Sequence, residues 1–108
     1  MNGDSGANAT ENDIHSELFV QLVTGHAQMA MMFLGRYPNP QTSVPEVPQP
    51  EVAKIYIDQL EMLQAKTRGN LSAVESKLLN DMLMATRGAF AEALDAQFTD
   101  RETGPPPV

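Results

Sequence analysis

Apolar residues recur through residues 14–35. Placed on a helix, they cover most of its circumference. At roughly 100° per residue, these side chains fall on two separate faces of a helix. One face carries Ile14, Leu18, Leu22, Gly25, Met29, Met32 and Phe33, and the other carries Phe19, Val23, Ala27, Ala30 and Leu34. An ordinary surface helix has one apolar stripe. The pattern therefore predicts a central first helix, about 13–35, that is covered on two sides.

A second and a third helix are predicted after a proline-rich crossover. Five prolines between residues 36 and 50 exclude a helix there, and Pro50 suits the first position of a new one. The second helix, about 50–67, is amphipathic and ends before Gly69, a residue typical of helix C-termini. Ser72 and Glu75 have the spacing of a capping box, which opens a third helix, about 72–98. The short connection predicts that helices two and three form a hairpin.

The third helix also presents two apolar arcs. One arc has bulky side chains, and the other narrows to Ala85, Ala89 and Ala93 at a spacing of four. Small residues at this spacing let another helix backbone approach closely. The fold class predicted from these patterns is all-α, with three helices.

The ends of the chain differ in composition from the helical part. Residues 1–12 are small, polar and acidic, and residues 99–108 are polar and close on three prolines. Such compositions favour disorder, because they bury little apolar surface. The predicted organisation is one helical domain, 13–98, between two disordered tails.

Charge and cysteine content narrow the classes of function. The net charge is −7, and no cluster of Lys and Arg is present that would bind phosphates, so nucleic acid is not expected as a partner. The chain has no cysteine, which fits a reducing compartment, and residues 1–15 do not have the pattern of a signal peptide. These observations favour a cytoplasmic protein. Membrane association through the apolar helix 18–35 is the alternative, although its polar residues dilute the apolar run.

Several residues together resemble a bacterial family, the one known as domain of unknown function 1844. They are Leu34-Gly35 before a Pro-x-Pro turn, Ile57-Asp58-x-Leu60-x-x-Leu63, Lys66-Thr67-x-Gly69-Asn70-Leu71, Glu75-x-x-Leu78-Leu79 and Arg87-x-x-Phe90. The resemblance covers about residues 17–94, and the Lys-Thr-x-Gly-Asn-Leu connector is its most specific part. It departs at Thr42-Ser43-Val44-Pro45, where the family usually has a Thr-Gly turn. The resemblance implies a small all-helical protein and no catalytic residues.

No set of residues predicts a reaction centre or a metal site. His15 and His26 are eleven positions apart, so they stand roughly 16 Å apart along a helix and cannot share a metal ion. His26 is expected to bond to a backbone or interface group instead. The acidic residues of helices two and three fall on polar faces, where carboxylates stay solvated. We therefore expect a protein without catalytic residues, cofactor or metal, which is not an enzyme.

Spare apolar faces on helices one and three predict self-association. Burying them in a second subunit would form a homodimer with an isologous interface. The residues expected at this interface are Leu22, Met29, Met32, Phe33, Ala85, Ala89 and Ala93. The first hypothesis for function is a non-enzymatic protein-interaction module, acting as a homo-oligomer or on a helix of another protein. A membrane-associated protein and a binder of small ligands at the methionines are the alternatives.

Overall fold

Three α-helices pack on one another in the part of the chain that the structure describes. The computed structural model describes residues 3–45 and 47–103, and the side chains of 11–45 and 47–98. The helices are α1 (Gly3–Phe33), α2 (Pro50–Lys66) and α3 (Ala73–Thr103), and each one contacts the other two. The predicted all-α class and the α2–α3 hairpin are confirmed.

Helices α1 and α3 extend further than the sequence pattern predicted. Helix α1 begins at Gly3, where a start near residue 13 was expected, and α3 continues to Thr103, where an end near residue 98 was expected. Residues 3–12 and 99–103 are therefore helical in the structure, where disordered tails were predicted. No proline interrupts either segment, and adding residues to an existing helix costs far less than starting one. The remaining tail residues, 1–2 and 104–108, lie outside the described residues.

The end of α1 is fixed by a left-handed glycine. Gly35 has φ +78°, a conformation that L-residues rarely adopt. The backbone N–H of Arg36 donates to the carbonyl of Met31 at 2.9 Å, and that of Gly35 donates to Met32 at 3.0 Å. These two bonds are the Schellman motif of a helix C-terminus. The helix stop predicted at Gly35 is confirmed.

The crossover between α1 and α2 is a loop whose two ends meet. The backbone N–H of Gln49 donates to the carbonyl of Phe33 at 2.6 Å, which joins the start of α2 to the end of α1. Within the loop, the N–H of Asn39 donates to the carbonyl of Val44 at 3.0 Å, next to a bridge between Pro38 and Pro45. The segment folds back as a tight turn and holds Pro38 close to the helices.

The connection from α2 to α3 has the local chemistry that the sequence predicted. Gly69 has φ +84° just after α2 ends. The backbone N–H of Ser72 donates to Glu75 Oε1 at 2.8 Å, and the N–H of Glu75 donates to Ser72 Oγ at 3.1 Å. These reciprocal bonds are a capping box, and they satisfy two donors that a helix N-terminus leaves free.

The main core lies between one face of α1 and the inward faces of α2 and α3. Its fully buried members are Val23, Ala27, Ala30, Ile57, Leu60, Leu79 and Leu83. A smaller cluster of Leu34, Ala53 and Ala89 extends the core towards the crossover. Helix α1 thus buries the face that carries its valine and alanines. Of its other apolar face, Phe33 packs against the smaller cluster, and the rest is not part of the core.

Candidate functional site

The unused face of α1 forms an exposed apolar surface, which we call the outward stripe. It consists of Ile14, Leu18, Leu22, Gly25, Met29 and Met32. The side chains of Ile14, Leu18 and Leu22 are 49%, 56% and 45% exposed, and Met29 and Met32 are half-buried. From Leu18 onward, the members are spaced alternately four and three residues apart, which is the spacing of a coiled-coil seam. The stripe is therefore an exposed apolar surface with the residue spacing of such a seam.

The C-terminal half of the stripe is the floor of a cleft of about 480 Å³, the α1 cleft. Gly25, Met29 and Met32 form the floor. One wall comes from the crossover, and the other comes from α2 with part of α1. The wall residues are Tyr37, Pro38 and Pro40 on the crossover side, and Tyr56 with His26 on the α2 side; Gln28 completes the lining. The cleft is therefore mostly apolar, with a few polar groups at its edges.

His26 is held in place by a backbone bond and by an aromatic contact. Its Nδ1 lies 3.1 Å from the carbonyl oxygen of Leu22, and its ring meets Tyr56 edge-on, with centroids 5.8 Å apart. A carbonyl oxygen only accepts, so Nδ1 carries the hydrogen in this bond, and Nε2 of a neutral ring remains an acceptor. The expected backbone bond of His26 is confirmed. Among the described side chains, no group of three or more His, Cys, Asp or Glu residues is placed to hold a metal ion.

Carboxylates of α2 and α3 take part in ion pairs on the surface. The pairs are Lys54–Asp58 and Lys77–Asp81 at 2.8 Å, and Arg87–Glu61 at 2.9 Å. Asp58 accepts a hydrogen bond from Lys54, which raises the pKa of that lysine above its ordinary value. All six side chains are exposed, and exposed pairs contribute at most about 1 kcal/mol each. These carboxylates pair with neighbouring cations on the surface and do not converge on a pocket.

The residues predicted for a subunit interface lie in three different environments. Leu22, Met29 and Met32 belong to the outward stripe. Phe33 faces α2, where its ring stacks on Tyr56 with centroids 5.8 Å apart. The three alanines of α3 range from exposed to buried: Ala85 is exposed, Ala93 is half-buried, and Ala89 is buried.

The structure corrects the expected place of Ala89. Only 5% of this residue is exposed, and it packs with Leu34 and Ala53 inside one protomer. Ala93 packs against the same cluster. The small residues of α3 do allow another backbone to approach closely, but that backbone belongs to the same chain. Ala89 is therefore buried within one protomer, whereas Ala85 remains exposed and Ala93 is half-buried.

The residues that enclose the α1 cleft were missed by the sequence patterns. Tyr56 lies in the amphipathic second helix, and Tyr37, Pro38 and Pro40 lie in the proline-rich crossover, so no single pattern connects them. Their position over α1 depends on how the crossover folds back, which helical periodicity does not encode. The adjacent Tyr37-Pro38 directly after a helix stop was the available signal, because such a pair keeps an aromatic ring close to the helix end.

Helix α1 does not have the properties of a membrane span. Among the described residues, none of the helices has a stretch sufficiently long and apolar to cross a bilayer. The exposed apolar surface of α1 is confined to the outward stripe, and the opposite side of α1 is buried against α2 and α3.

These features define a class: a small three-helix protein with an exposed apolar stripe on its first helix. The chain belongs to the family described as domain of unknown function (DUF1844), whose family model matches residues 16–92. The matched range includes the α1 cleft, the crossover and the capping box. It also agrees with the range over which the sequence resembles that family. No curated protein and no solved structure matches the chain.

Proposed function

We propose that this chain is a non-enzymatic helical protein-interaction module that self-associates through the outward stripe of α1. The observation that supports the proposal most directly is the exposure of Ile14, Leu18 and Leu22, each close to half, on a seam with coiled-coil spacing. Contiguous apolar surface of this kind is typical of contact sites. A cytoplasmic location is part of the proposal, and cell fractionation tests it.

Two further apolar side chains are exposed on α2. Ile55 and Met62 are 55% and 48% exposed. Tyr56 faces α1, and Glu61 faces α3, where it pairs with Arg87. By helical geometry, Ile55 and Met62 then lie on the outer side of α2, opposite its buried face and away from both α1 and α3, so they do not extend the stripe.

The size of the outward stripe favours an association of moderate strength. Fully burying a large aliphatic side chain contributes about 1.5–3 kcal/mol, and these side chains are already half-buried. Each one therefore adds roughly 1 kcal/mol, so the stripe contributes several kcal/mol before the cost of association is subtracted. Only the surplus over that cost appears as affinity, so we expect the dimer to dissociate on dilution.

Binding of a small ligand is a second candidate, which the α1 cleft favours. Its volume of about 480 Å³ lies within the usual range for ligand sites. Its apolar floor and aromatic walls suit an apolar compound that donates one hydrogen bond to His26 Nε2. Since the floor of the cleft belongs to the outward stripe, such a ligand would compete with self-association.

The test is the mass in solution, measured by light scattering after size exclusion at two concentrations without detergent. We expect a mass of twice 11.8 kDa at the higher concentration. Leu22→Glu places a charge on the stripe and should give a monomer with unchanged helix content. Met84→Glu is the matched control, because Met84 is 70% exposed on α3 and lies off the stripe. A monomer of the unaltered chain at both concentrations would overturn the proposal.

A further inference from the structure

We propose that the partner is a second copy whose α1 runs antiparallel to the first, so that each copy's N-terminal half of the stripe fills the other's α1 cleft. This inference rests on the proposed function and specifies how the two copies meet. The N-terminal half is a ridge, formed by Ile14, Leu18 and Leu22. The C-terminal half is recessed between the crossover and Tyr56.

The ridge and the cleft lie at matching distances from the middle of α1. Leu18 and Met32 are each seven residues from Gly25, on opposite sides of it. When two α1 helices cross antiparallel at Gly25, Leu18 of one copy lies over Met32 of the other. A parallel pairing would instead place ridge on ridge and leave both clefts unfilled.

Gly25 has no role in packing within one protomer. A Cβ added at this position would meet nothing within 4 Å, although glycine inside a helix costs about 1 kcal/mol relative to alanine. A second backbone that crosses at this point accounts for the glycine, because the missing side chain permits a close approach. The crossing point and the symmetric spacing of Leu18 and Met32 therefore coincide.

The charges of α1 also favour the antiparallel arrangement. Its N-terminal half carries Glu11, Asp13 and Glu17, whereas Arg36 after its C-terminal end is already paired with Glu92 of α3. Antiparallel pairing places the acidic ends of the two copies at opposite ends of the helix pair, so that they do not repel each other. Parallel pairing would align the acidic ends of two chains that already carry a net charge of −7 each.

A two-fold axis through Gly25 makes the two contacts identical. Both clefts are filled and no further copy is required, so the assembly closes as a dimer. The same ridge and cleft would form open filaments if the rotation did not close. The inference therefore predicts one dimer mass and no larger species as concentration rises.

Disulfide trapping in this cysteine-free chain tests the orientation. A disulfide requires Cα atoms within about 7 Å. In the antiparallel dimer, the two copies of residue 18 are separated by roughly 21 Å along the axis, at ~1.5 Å per residue. We expect a covalent dimer when Leu18→Cys and Met32→Cys chains are mixed and oxidised, and none from either variant alone. Met84→Cys mixed with Leu18→Cys is the control and should stay uncrosslinked.

Each outcome has a distinct meaning. A covalent dimer of Leu18→Cys alone would show a parallel pair and overturn this inference, while self-association through the stripe would stand. A dimer mass without crosslinking of the mixed pair would place the interface elsewhere. A monomer mass would overturn the proposed function itself. Leu22→Cys with Gln28→Cys, each three residues from Gly25, is a second pair for use if Leu18→Cys loses helix content.

Discussion

The ring of Tyr56 on α2 stacks on the ring of Phe33 at the end of α1, with centroids 5.8 Å apart and an angle of 14° between the planes. The same tyrosine ring receives His26 edge-on, two helical turns earlier on α1. One side chain therefore contacts α1 at two levels and also forms a wall of the α1 cleft. The stability of the helix pair and the shape of the cleft depend on the same residue.

Replacing Tyr56 should test this double role. Tyr56→Ala removes both aromatic contacts and part of the core edge, and we expect a loss of about 2 kcal/mol in the free energy of unfolding, less than for a fully buried aromatic residue. Tyr56→Phe keeps the ring and should stay within about 0.5 kcal/mol of the parent. Urea denaturation measures both. Equal losses in the two variants would show that the hydroxyl, and not the ring, stabilises the pair.

Ala89→Glu should destabilise the protomer. The new carboxylate would be buried against Leu34 and Ala53 without a partner, so we expect a loss of 3 kcal/mol or more. Ala91→Glu is the control, since Ala91 is exposed on the same helix, and it should change stability by less than about 0.5 kcal/mol. The measurement is thermal unfolding of dilute protein. A fully folded Ala89→Glu monomer would mean that Ala89 lies at a subunit interface after all.

Two glycines should respond to alanine with opposite signs. Gly69 has φ +84°, so Gly69→Ala should cost about 1–2 kcal/mol through backbone strain, although a Cβ meets no neighbour there. Gly88 lies within helix α3, also with open space for a Cβ, so Gly88→Ala should stabilise by about 0.4–1 kcal/mol. Chemical denaturation of the pair measures the difference. Two shifts of the same sign would contradict this account of Gly69.

The capping box should give a pH dependence in the acid range. The backbone N–H of Ser72 donates to the Glu75 carboxylate, with a further bond from the Ser16 hydroxyl, and these bonds lower the pKa of Glu75 below its ordinary 4.5. A carboxyl with a lowered pKa in the folded state stabilises the protein above pH 4.5, and this stabilisation is lost as pH falls through the folded-state pKa.

Two variants isolate that contribution. Glu75→Gln keeps an acceptor oxygen but does not titrate, so the difference in stability between it and the parent should shrink from pH 7 towards pH 3. Ser72→Ala should cost about 1 kcal/mol at neutral pH by removing the N-cap. Unfolding is followed by circular dichroism. A constant difference between Glu75→Gln and the parent at every pH would rule out the ionised carboxylate as the stabilising form.

Local chemistry made the helix ends of this chain predictable. Gly35, Pro50 and the Ser72–Glu75 box each act within one turn of backbone, so their residue types are informative without any knowledge of the tertiary structure. The far ends of α1 and α3 were less predictable, because a polar segment attached to a helix can continue it without a distinct signal.

The choice between the two apolar faces of α1 was not predictable from periodicity. Both faces are apolar, and the one that became buried carries Val23, Ala27 and Ala30, whose small side chains let α2 and α3 approach.

Thr86 shows the same limit for a single residue. It is fully buried in α3, with its hydroxyl donating to the carbonyl of Met82 at 2.8 Å. A threonine that bonds within its own helix needs no other polar partner. The sequence pattern therefore does not indicate that such a threonine is buried.

The hydrogen bond from Gln49 to Phe33 makes the placement of α1 and α2 independent of the length of the crossover. Since the two ends of the loop already touch, residues inserted into the turn between Asn39 and Val44 would extend outward and leave α1 and α2 in register. That turn also carries Pro40 at the rim of the cleft. A change of length or sequence in this turn would therefore alter the rim of the cleft and leave the two helices in place.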